Sequence, residues 1–352
     1  MQHRIAVVGA GAVGGYVGGH LARLAHDVTL IDAWPEHVEA IRARGLEITG
    51  VTAEERCVAR ANALHVSDVQ GLVKQAPIDI AFVSVKSYDT EWATMLIRPY
   101  LAPGGCVVSL QNCINEERIA AIVGWGRTLG CIAARISVEL YEPGRIRRTV
   151  PLGGRSHTVF RLGEVHGRLT RRLADLAKMI GGIDSVKATT NLWGERWSKL
   201  CTNGMRNAVS AATGLSGNEM DRYETIRRFA IRLGGEAVRI GQALGYDIEP
   251  IGTLDPERLA LAAEGDRTAL DEIEAVLIAG SNAAGRNDLQ RPSMGQDILK
   301  GRRTEIDQMN GFIVAKGNEV GRPAPTHAAL VSVVKRVERG EIPPRVENLT
   351  GM

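Results

Sequence analysis

The sequence predicts an α/β domain with a doubly wound parallel sheet, followed by an all-helical domain. Up to about residue 185, short apolar runs rich in Val and Ile alternate with helix-periodic segments, as in strands joined by crossover helices. From Asn191 onward nearly every segment has helical periodicity. A chain of 352 residues is long enough for two hydrophobic cores. We therefore predict domains at residues 1–188 and 189–352.

The first domain begins with an apolar run at residues 4–8, closed by Gly9, which predicts a buried parallel strand. Pro35 and Gly45 bracket a later helix, since proline suits a helix start and glycine its end. In chain order we predict a helix at 13–24, a strand "DVTLID", the helix "PEHVEAIRARG", strands in "IDIAFVSVK", "GCVVSLQN" and "GCIAARISVEL", the helix "RLTRRLADLAKMI" and a last strand "DSVKATT".

The second domain is predicted to contain only helices, at 191–212, 217–244, 256–264, 267–285, 293–299, 304–321 and 326–339. The tail "GEIPPRVENLTGM" has a Pro-Pro pair and little periodicity, so we expect it to be loose.

Composition excludes several classes of function. The formal net charge of +3 is too small for a nucleic-acid partner, and no apolar run reaches membrane-spanning length. The five cysteines form no C-x-x-C pair, which argues against disulfides and a zinc site and favours a reducing compartment. The N-terminus lacks the layout of a signal peptide. We expect a cytoplasmic protein without a metal, with a homodimer as the default assembly.

A glycine loop lies between the first strand and the first helix. "VVGAGAVGG" places Gly9, Gly11 and Gly14 in the G-x-G-x-x-G pattern, in the strand–helix context that the pattern requires. Gly9 allows a tight turn, Gly11 lets a pyrophosphate approach the backbone, and Gly14 lets the helix pack on the strand. This predicts a Rossmann-type dinucleotide site at Gly9, Ala10, Gly11, Ala12, Val13 and Gly14, against the alternative of a glycine-rich turn without a ligand.

The second predicted strand ends in Asp32, eighteen residues after Gly14. A carboxylate at this position accepts hydrogen bonds from the ribose hydroxyls and repels a 2′-phosphate. No Arg or Lys follows until Arg42. The pattern favours NAD over NADP as the cofactor, unless Asp32 merely ends its strand.

Two polar residues follow later strands at the edge where open α/β sheets bind ligands. Lys86 in "VKSYDT" is placed to contact the ribose or phosphate of the cofactor, although a solvated loop lysine has the same pattern. Asn112 in "LQNCINEE" is placed to contact both nicotinamide and substrate, with an Asx turn as the alternative.

The segment "WSKLCTNGMRN" has an unusual polar row for a helix. Lys199, Asn203 and Asn207 recur at four-residue intervals, which stacks them on one helix face beside Trp193, Trp197 and Leu200. One explanation is that the three residues line a functional site. The alternative is that Lys199 extends along an amphipathic helix and places its ammonium in solvent.

Five stretches together resemble the ketopantoate reductase family over nearly the whole chain: "GAGAVGG", "VKSYD", "QNCINEE", "ERWSKLCTNGMRNA" and "RPSMGQDILKGRRTEIDQMNG". The resemblance implies a helical domain like that of 6-phosphogluconate dehydrogenase. It also implies roles for individual residues. Lys199 and Glu305 would be catalytic, and Asn112, Asn203, Asn207 and Ser293 would bind the substrate. In addition to the glycine loop, the cofactor would be bound by Lys86, Asn112 and Glu305.

The chemistry of ketone reduction suits these residue types. Hydride adds to carbon while the oxygen gains negative charge, so a cationic acid such as Lys199 stabilises the charge and supplies the proton. Glu305 is the natural partner of that ammonium, and its alternative role is a carboxylate at a helix start. Neutral groups at Asn203, Asn207 and Ser293 suit the orientation of a polar acid.

Four departures from the family pattern leave the substrate open. Ala33-Trp34-Pro35 stands where these reductases usually carry a basic residue, and Cys113 stands where they usually have glycine. Gln290 replaces a pocket asparagine, and the segment near 251–285 is additional. The hypothesis is hydride transfer with a 2-oxo or 2-hydroxy acid, ketopantoate first. The alternatives are an NAD-dependent D-2-hydroxy-acid or sugar-acid dehydrogenase and a non-catalytic NAD-binding regulator.

Overall fold

The computed structural model describes residues 3–281 and 291–351. The chain divides into two compact units, Met1–Leu192 and Trp193–Met352, against a predicted boundary between residues 188 and 189. The first unit holds a mostly parallel sheet flanked by helices, and the described part of the second is helical, so the predicted fold class is confirmed.

The described residues of the first unit form an eight-stranded and a four-stranded sheet. The strands are β1 (Arg4–Val8), β2 (Asp27–Asp32), β3 (Leu46–Thr49), β4 (Cys57–Ala59), β5 (Asn62–His65), β6 (Ile78–Val83), β7 (Leu101–Ser109), β8 (Thr128–Ala133), β9 (Val138–Glu142), β10 (Arg145–Arg148), β11 (Phe160–Glu164) and β12 (Val186–Thr189). The large sheet has the order β12-β11-β8-β7-β6-β1-β2-β5, and the small sheet has the order β4-β3-β10-β9. Within the large sheet only the β8–β11 pair is antiparallel.

The helices follow the predicted succession with two differences. Two short helices at Thr90–Ile97 and Glu116–Val123 were not predicted, and the single helix predicted at 217–244 is wrong, because the chain bends at Tyr223 and forms two helices there. In the first unit they are α1 (Ala12–Arg23), α2 (Pro35–Arg44), α3 (Thr90–Ile97), α4 (Glu116–Val123) and α5 (Arg171–Gly181). The long helix α6 (Leu192–Thr213) opens the helical unit. It is followed by α7 (Gly217–Arg222), α8 (Glu224–Ala243), α9 (Pro256–Ala263), α10 (Arg267–Ser281), α11 (Ser293–Leu299), α12 (Ile306–Glu319) and α13 (Pro325–Glu338).

Strand β1 shows why the predicted parallel strands are continuous apolar runs. Ile5 and Val7 belong to one buried cluster, while Ala6 and Val8 belong to another on the opposite face of the sheet. Because both faces are covered, all positions after Arg4 are buried and show no polar alternation. The burial of this central strand fixes the position of the glycine loop that follows it.

Two predictions about the chain path are wrong. The segment "GCIAARISVEL" is not one strand: β8 ends at Ala133, Arg135 has a φ of 52°, and β9 begins at Val138 in the other sheet. The tail is not loose, because Arg345 N–H and Asn348 Nδ2 donate to the carbonyl of Ala212 at 3.1 and 2.9 Å. These backbone contacts at the end of α6 fix the tail without any local periodicity.

The described part of the additional segment forms α9 and α10, and α9 packs on α8. A Cβ on Gly235 would lie 2.2 Å from the Cβ of Ala263, so the backbones of α8 and α9 approach closely. Arg239 on α8 pairs with Glu257 and Glu264 at 2.7 and 2.6 Å.

Within the described residues, no helix has the length and apolarity needed to cross a bilayer.

His20 in α1 makes the stability of the fold dependent on pH. Burial, with a smaller contribution from Arg23, lowers the pKa of His20 to about 4 from its ordinary 6.5. Above pH 6.5 the imidazole is neutral in both states; as the pH falls toward 4, only the unfolded chain takes up the proton. We expect this group alone to remove about 2–3 kcal/mol of unfolding free energy between pH 7 and 4.5.

Urea unfolding followed at both pH values checks this expectation. His20→Leu is expected to flatten the acid loss, because leucine takes up no proton in either state. An acid loss that His20→Leu leaves intact would assign the effect to other groups.

Candidate active site

The three glycines of the loop serve different steric purposes. Gly9 has a φ of +94°, and a Cβ on it would lie 2.7 Å from the Val85 nitrogen. A Cβ on Gly14 would lie 2.1 Å from the Gly9 oxygen, so any side chain there would separate α1 from the loop. A Cβ on Gly11 would meet no described atom within 4 Å. Gly11 is therefore the position where a side chain would obstruct a ligand and leave the protein's own packing intact.

The start of α1 is suited to a phosphate. Gly11 is its N-cap and makes no side-chain cap, and the first turn contains no acidic residue. The main-chain N–H groups at a helix start carry partial positive charge and bind anions. These features fit the dinucleotide pyrophosphate that the sequence predicts at residues 9–14.

His37 anchors this loop from beneath. The N–H of Gly144 donates to His37 Nδ1 at 2.9 Å, so Nε2 carries the proton in the neutral ring and donates to the Ala10 carbonyl at 2.9 Å. Gly144 belongs to the turn between β9 and β10 of the small sheet. The buried imidazole thus ties the loop to a sheet that the sequence analysis did not predict.

Gly11→Val is expected to impair NADH binding, whereas Gly14→Val is expected to impair the stability of the fold. Gly11→Val should weaken NADH binding roughly 10–100-fold through lost phosphate contacts while leaving the melting temperature nearly unchanged. Gly14→Val should destabilise the fold by about 1–3 kcal/mol through overpacking. NADH fluorescence titration and thermal unfolding measure the two effects. Equal loss of stability in both variants would contradict the division of roles.

Asp32 lies at the end of β2, beside β1. Its Oδ1 accepts the main-chain N–H of Trp34 at 2.9 Å. Arg42, the next cation along the chain, is fully engaged: Nε donates to the Ala63 carbonyl at 2.9 Å, and Nη1 and Nη2 donate to Glu39 Oε1 and Asp68 Oδ2 at 2.6 and 2.8 Å. The Arg42 guanidinium is thereby held by three acceptors of the protein itself.

Hydrogen bonds join the loops that carry Lys86 and Asn112. Gln111 Nε2 donates to the Val85 carbonyl at 2.9 Å. Asn115 Nδ2 donates to Ser87 Oγ at 3.1 Å and to the Asn112 carbonyl at 2.9 Å. These bonds use the main-chain carbonyl of Asn112 and do not involve its amide. The structure therefore brings the two predicted rim segments together after β6 and β7.

Cys113 occupies a strained backbone position beside Asn112. Its φ is 64°, in the left-handed region that favours glycine, and its side chain is buried. This geometry explains why glycine suits the position, and it shows that cysteine is accepted there with a local strain.

The predicted row on α6 is present. Lys199 and Asn203 are half-buried and Asn207 is buried, with all three on one helix. Trp197 lies on another side of α6, fully buried, and its Nε1 donates to the Ala237 carbonyl of α8 at 2.8 Å. The apolar sides of α6 hold the helix in the core, and the polar row occupies a separate side of the helix.

Ser293 lies beside Asn207, the last residue of this row. Asn207 Nδ2 lies 3.4 Å from Ser293 Oγ, at the long end of hydrogen bonding. A Cβ on Gly295 would lie 2.4 Å from Ser210 Oγ, so α11 packs directly on α6. The close packing of these helices places the serine hydroxyl beside the asparagine amide.

Glu305 is buried, at 4% exposure, in the N-cap position of α12. Its side chain makes no capping hydrogen bond. The Ile306 N–H donates instead to Thr304 Oγ1 at 3.3 Å, and the Thr304 N–H donates to Glu338 at 2.5 Å. Thr304 and Glu338 thus hold this helix start. Glu305 lies where its alternative role, a carboxylate near the positive end of the helix dipole, would also place it.

Some site features lie beyond the predictions. Gln290 falls outside the described residues. His37 was not singled out, because a buried histidine gives no periodic signal. In the described part of the chain, no group of three or more His, Cys, Asp or Glu side chains is arranged to hold a metal.

Family models match both parts of the chain. The model described as "Ketopantoate reductase PanE/ApbA" matches residues 5–160, and its C-terminal counterpart matches residues 191–338. A 2-dehydropantoate 2-reductase of Pyrococcus horikoshii is 30% identical over 78% of this chain and 89% of its own length. The chain belongs to the ketopantoate reductase family. As a ketopantoate-reductase-family protein it is an oxidoreductase that uses a nicotinamide cofactor and a keto acid.

Other similarities cover almost the whole chain. A 2-dehydropantoate 2-reductase of Mesorhizobium japonicum is 29% identical over 96% of this chain and 99% of its own length. The PanE/ApbA family ketopantoate reductase of Ralstonia eutropha has a TM-score of 0.76 at 28% identity, over 96% of this chain and 99% of that one. A D-mandelate dehydrogenase in complex with NADH and anilino(oxo)acetate has a TM-score of 0.77 at 21% identity, with the same coverage, which shows a shared fold alone.

Proposed function

We propose that this family member reduces 2-dehydropantoate to pantoate with NADH. The observation that carries the proposal is the row of Lys199, Asn203 and Asn207 on α6 with Ser293 beside its end. The relatives named 2-dehydropantoate 2-reductase support the choice of substrate.

The chain's own residues supply the acid and the orientation. The bound dihydronicotinamide supplies the hydride. The ammonium of Lys199 donates to the ketone oxygen, stabilises its developing negative charge and delivers the proton. The buried carboxylate of Glu305 keeps that ammonium charged and accepts a hydrogen bond from the product hydroxyl.

Neutral groups then orient the acid. The amides of Asn203 and Asn207 and the hydroxyl of Ser293 offer both donors and acceptors without adding charge. Such groups fix the orientation of a polar substrate at low electrostatic cost. Asn112, with Lys86 in the neighbouring loop, contacts the cofactor, and Asn112 also contacts the substrate.

Two features at the end of β2 support the preference for NAD. Asp32 ends the strand with a carboxylate, which is expected to repel a 2′-phosphate, and Arg42 is engaged by Glu39 and Asp68. The second candidate function follows from the same features: an NAD-dependent dehydrogenase acting on another D-2-hydroxy acid through the same Lys199.

A substrate panel tests the proposal. Ketopantoate and a series of 2-oxo acids are reduced with NADH and NADPH, and the corresponding 2-hydroxy acids are oxidised with NAD. The highest kcat/KM is expected for ketopantoate with NADH. A larger value for a different 2-oxo acid would favour the second candidate, and no turnover with any acid would reject both.

A further inference from the structure

A buried hydrogen-bond chain lies outside the proposed site in the helical unit. Asn310 on α12 and His327 on α13 are both fully buried. Asn310 Nδ2 donates to the Gly204 carbonyl of α6 at 3.1 Å and lies 3.0 Å from His327 Nδ1. His327 Nε2 lies 2.9 Å from the Leu233 carbonyl of α8. Three side-chain hydrogen bonds thereby join four helices.

The chemistry of the groups fixes the direction of each bond. A carbonyl only accepts, so His327 Nε2 carries the proton and donates to Leu233, and Nδ1 must accept from Asn310. Both hydrogens of the Asn310 amide nitrogen are then used, and a flipped amide would place two acceptors against each other. The Glu236 carboxylate accepts the main-chain N–H groups of Thr326 and His327 at 3.0 and 3.2 Å, which anchors the start of α13.

Gly204 permits the close approach of these helices. A Cβ on Gly204 would lie 3.3 Å from Ile313 Cδ1 and 3.4 Å from His327 Cε1. Glycine costs about 1 kcal/mol relative to alanine within a helix, so its presence in α6 indicates a need for space. Gly204 follows Lys199 by about 7.5 Å along its helix, and Asn310 follows Glu305 by a similar distance.

We propose that Asn310 is a positioning residue that sets the register of α6 against α12 through Gly204 and His327, and so places Lys199 relative to Glu305. The inference rests on the proposed function of that pair. Because the link is made to the main chain of α6, its loss lets the two helices slide. A displacement of about 1 Å at reacting groups costs on the order of 10²-fold in rate.

The first test compares two truncations of buried side chains on α12. Asn310→Ala is expected to lower kcat with a 2-oxo acid about 10²-fold while the KM for NADH stays within about twofold. Met309→Ala, a neighbouring buried position that lies outside the hydrogen-bond chain, is expected to keep kcat within about threefold. Equal losses of kcat in the two variants would reduce Asn310 to a packing role and overturn the proposal.

The second test separates the two nitrogens of His327. In His327→Asn the side-chain oxygen takes the place of Nδ1 and accepts from Asn310, although the contact with Leu233 is lost. In His327→Gln the amide nitrogen takes the place of Nε2 and retains only the contact with Leu233. The Asn variant is expected to be at least about tenfold more active. A more active Gln variant would contradict the register role.

The third test is independent of turnover. Hydrogen–deuterium exchange, read by mass spectrometry, is expected to be faster in α6 around Gly204 and at the start of α12 in Asn310→Ala, and unchanged there in Met309→Ala. Exchange that is the same in Asn310→Ala and the unmodified protein would overturn the bridge. If the unmodified protein reduces no 2-oxo acid, the proposed function is wrong. The exchange measurement still tells whether Asn310 links α6 to α12.

Discussion

Lys199→Ala is expected to lower kcat by about 10²–10⁴-fold, because the variant loses both the charge that stabilises the ketone oxygen and the proton that neutralises it. Binding of NADH should persist, since the glycine loop belongs to the other unit of the chain. Steady-state kinetics with NADH and the best acid of the panel measure the first effect, and fluorescence titration measures the second.

Two further variants sharpen this result. Lys199→Arg keeps the charge but has a group that hardly deprotonates, so it is expected to recover part of the lost rate and no more. Lys335→Ala removes a lysine that pairs with Asp307 at 2.6 Å on the surface of the same unit, and its kcat should be unchanged. Activity of Lys199→Ala within about tenfold of the unmodified protein would exclude the acid role.

The double substitution Asp32→Ser with Trp34→Arg is expected to reverse the cofactor preference. Removing the carboxylate ends its repulsion of a 2′-phosphate, and the new guanidinium supplies the cation that Arg42 does not. We expect kcat/KM to fall roughly 10–100-fold with NADH and to rise by a similar factor with NADPH, because one charged hydrogen bond is worth about 1.5–3 kcal/mol.

The matched control is Asp27→Ser at the first position of the same strand. Its carboxylate is 54% exposed and lies at the opposite end of β2, so neither cofactor should be affected. An unmodified protein that already binds NADPH more tightly than NADH would remove the basis of the Asp32 argument, whatever the double variant does.

The sequence predicted those parts of the fold that carry a strong local signal. The strand before Gly9 and the long helices of the second unit have apolar patterns that few other structures share. The small sheet was not predicted, since strands such as Cys57–Ala59 and Arg145–Arg148 are short, and the pairing that joins its two local strand pairs, β3 with β10, connects distant segments of the chain. Its formation depends on tertiary contacts, such as the buried pair of Arg148 with Asp184 at 2.8 Å, that no window of sequence contains.

The candidate site also has parts that the local sequence predicts and parts that depend on contacts between distant segments. The spacing of Lys199, Asn203 and Asn207 is local, so a helix was sufficient to align them. The meeting of Asn207 with Ser293 depends on the packing of two helices far apart in the chain, and it was expected only from family resemblance. The bridge through Asn310 and His327 has neither advantage, because it joins two side chains to each other and to main-chain carbonyl groups of other helices.

The glycine loop depends on His37, a residue outside the loop, for its support. Ala10 is oriented by a histidine from the next helix, and that histidine is oriented by Gly144, more than one hundred residues further along the chain. A transplant of residues 9–14 into another nucleotide-binding scaffold would therefore carry the glycines but lose the support beneath them. The smallest transferable unit includes His37 and the hairpin that presents Gly144.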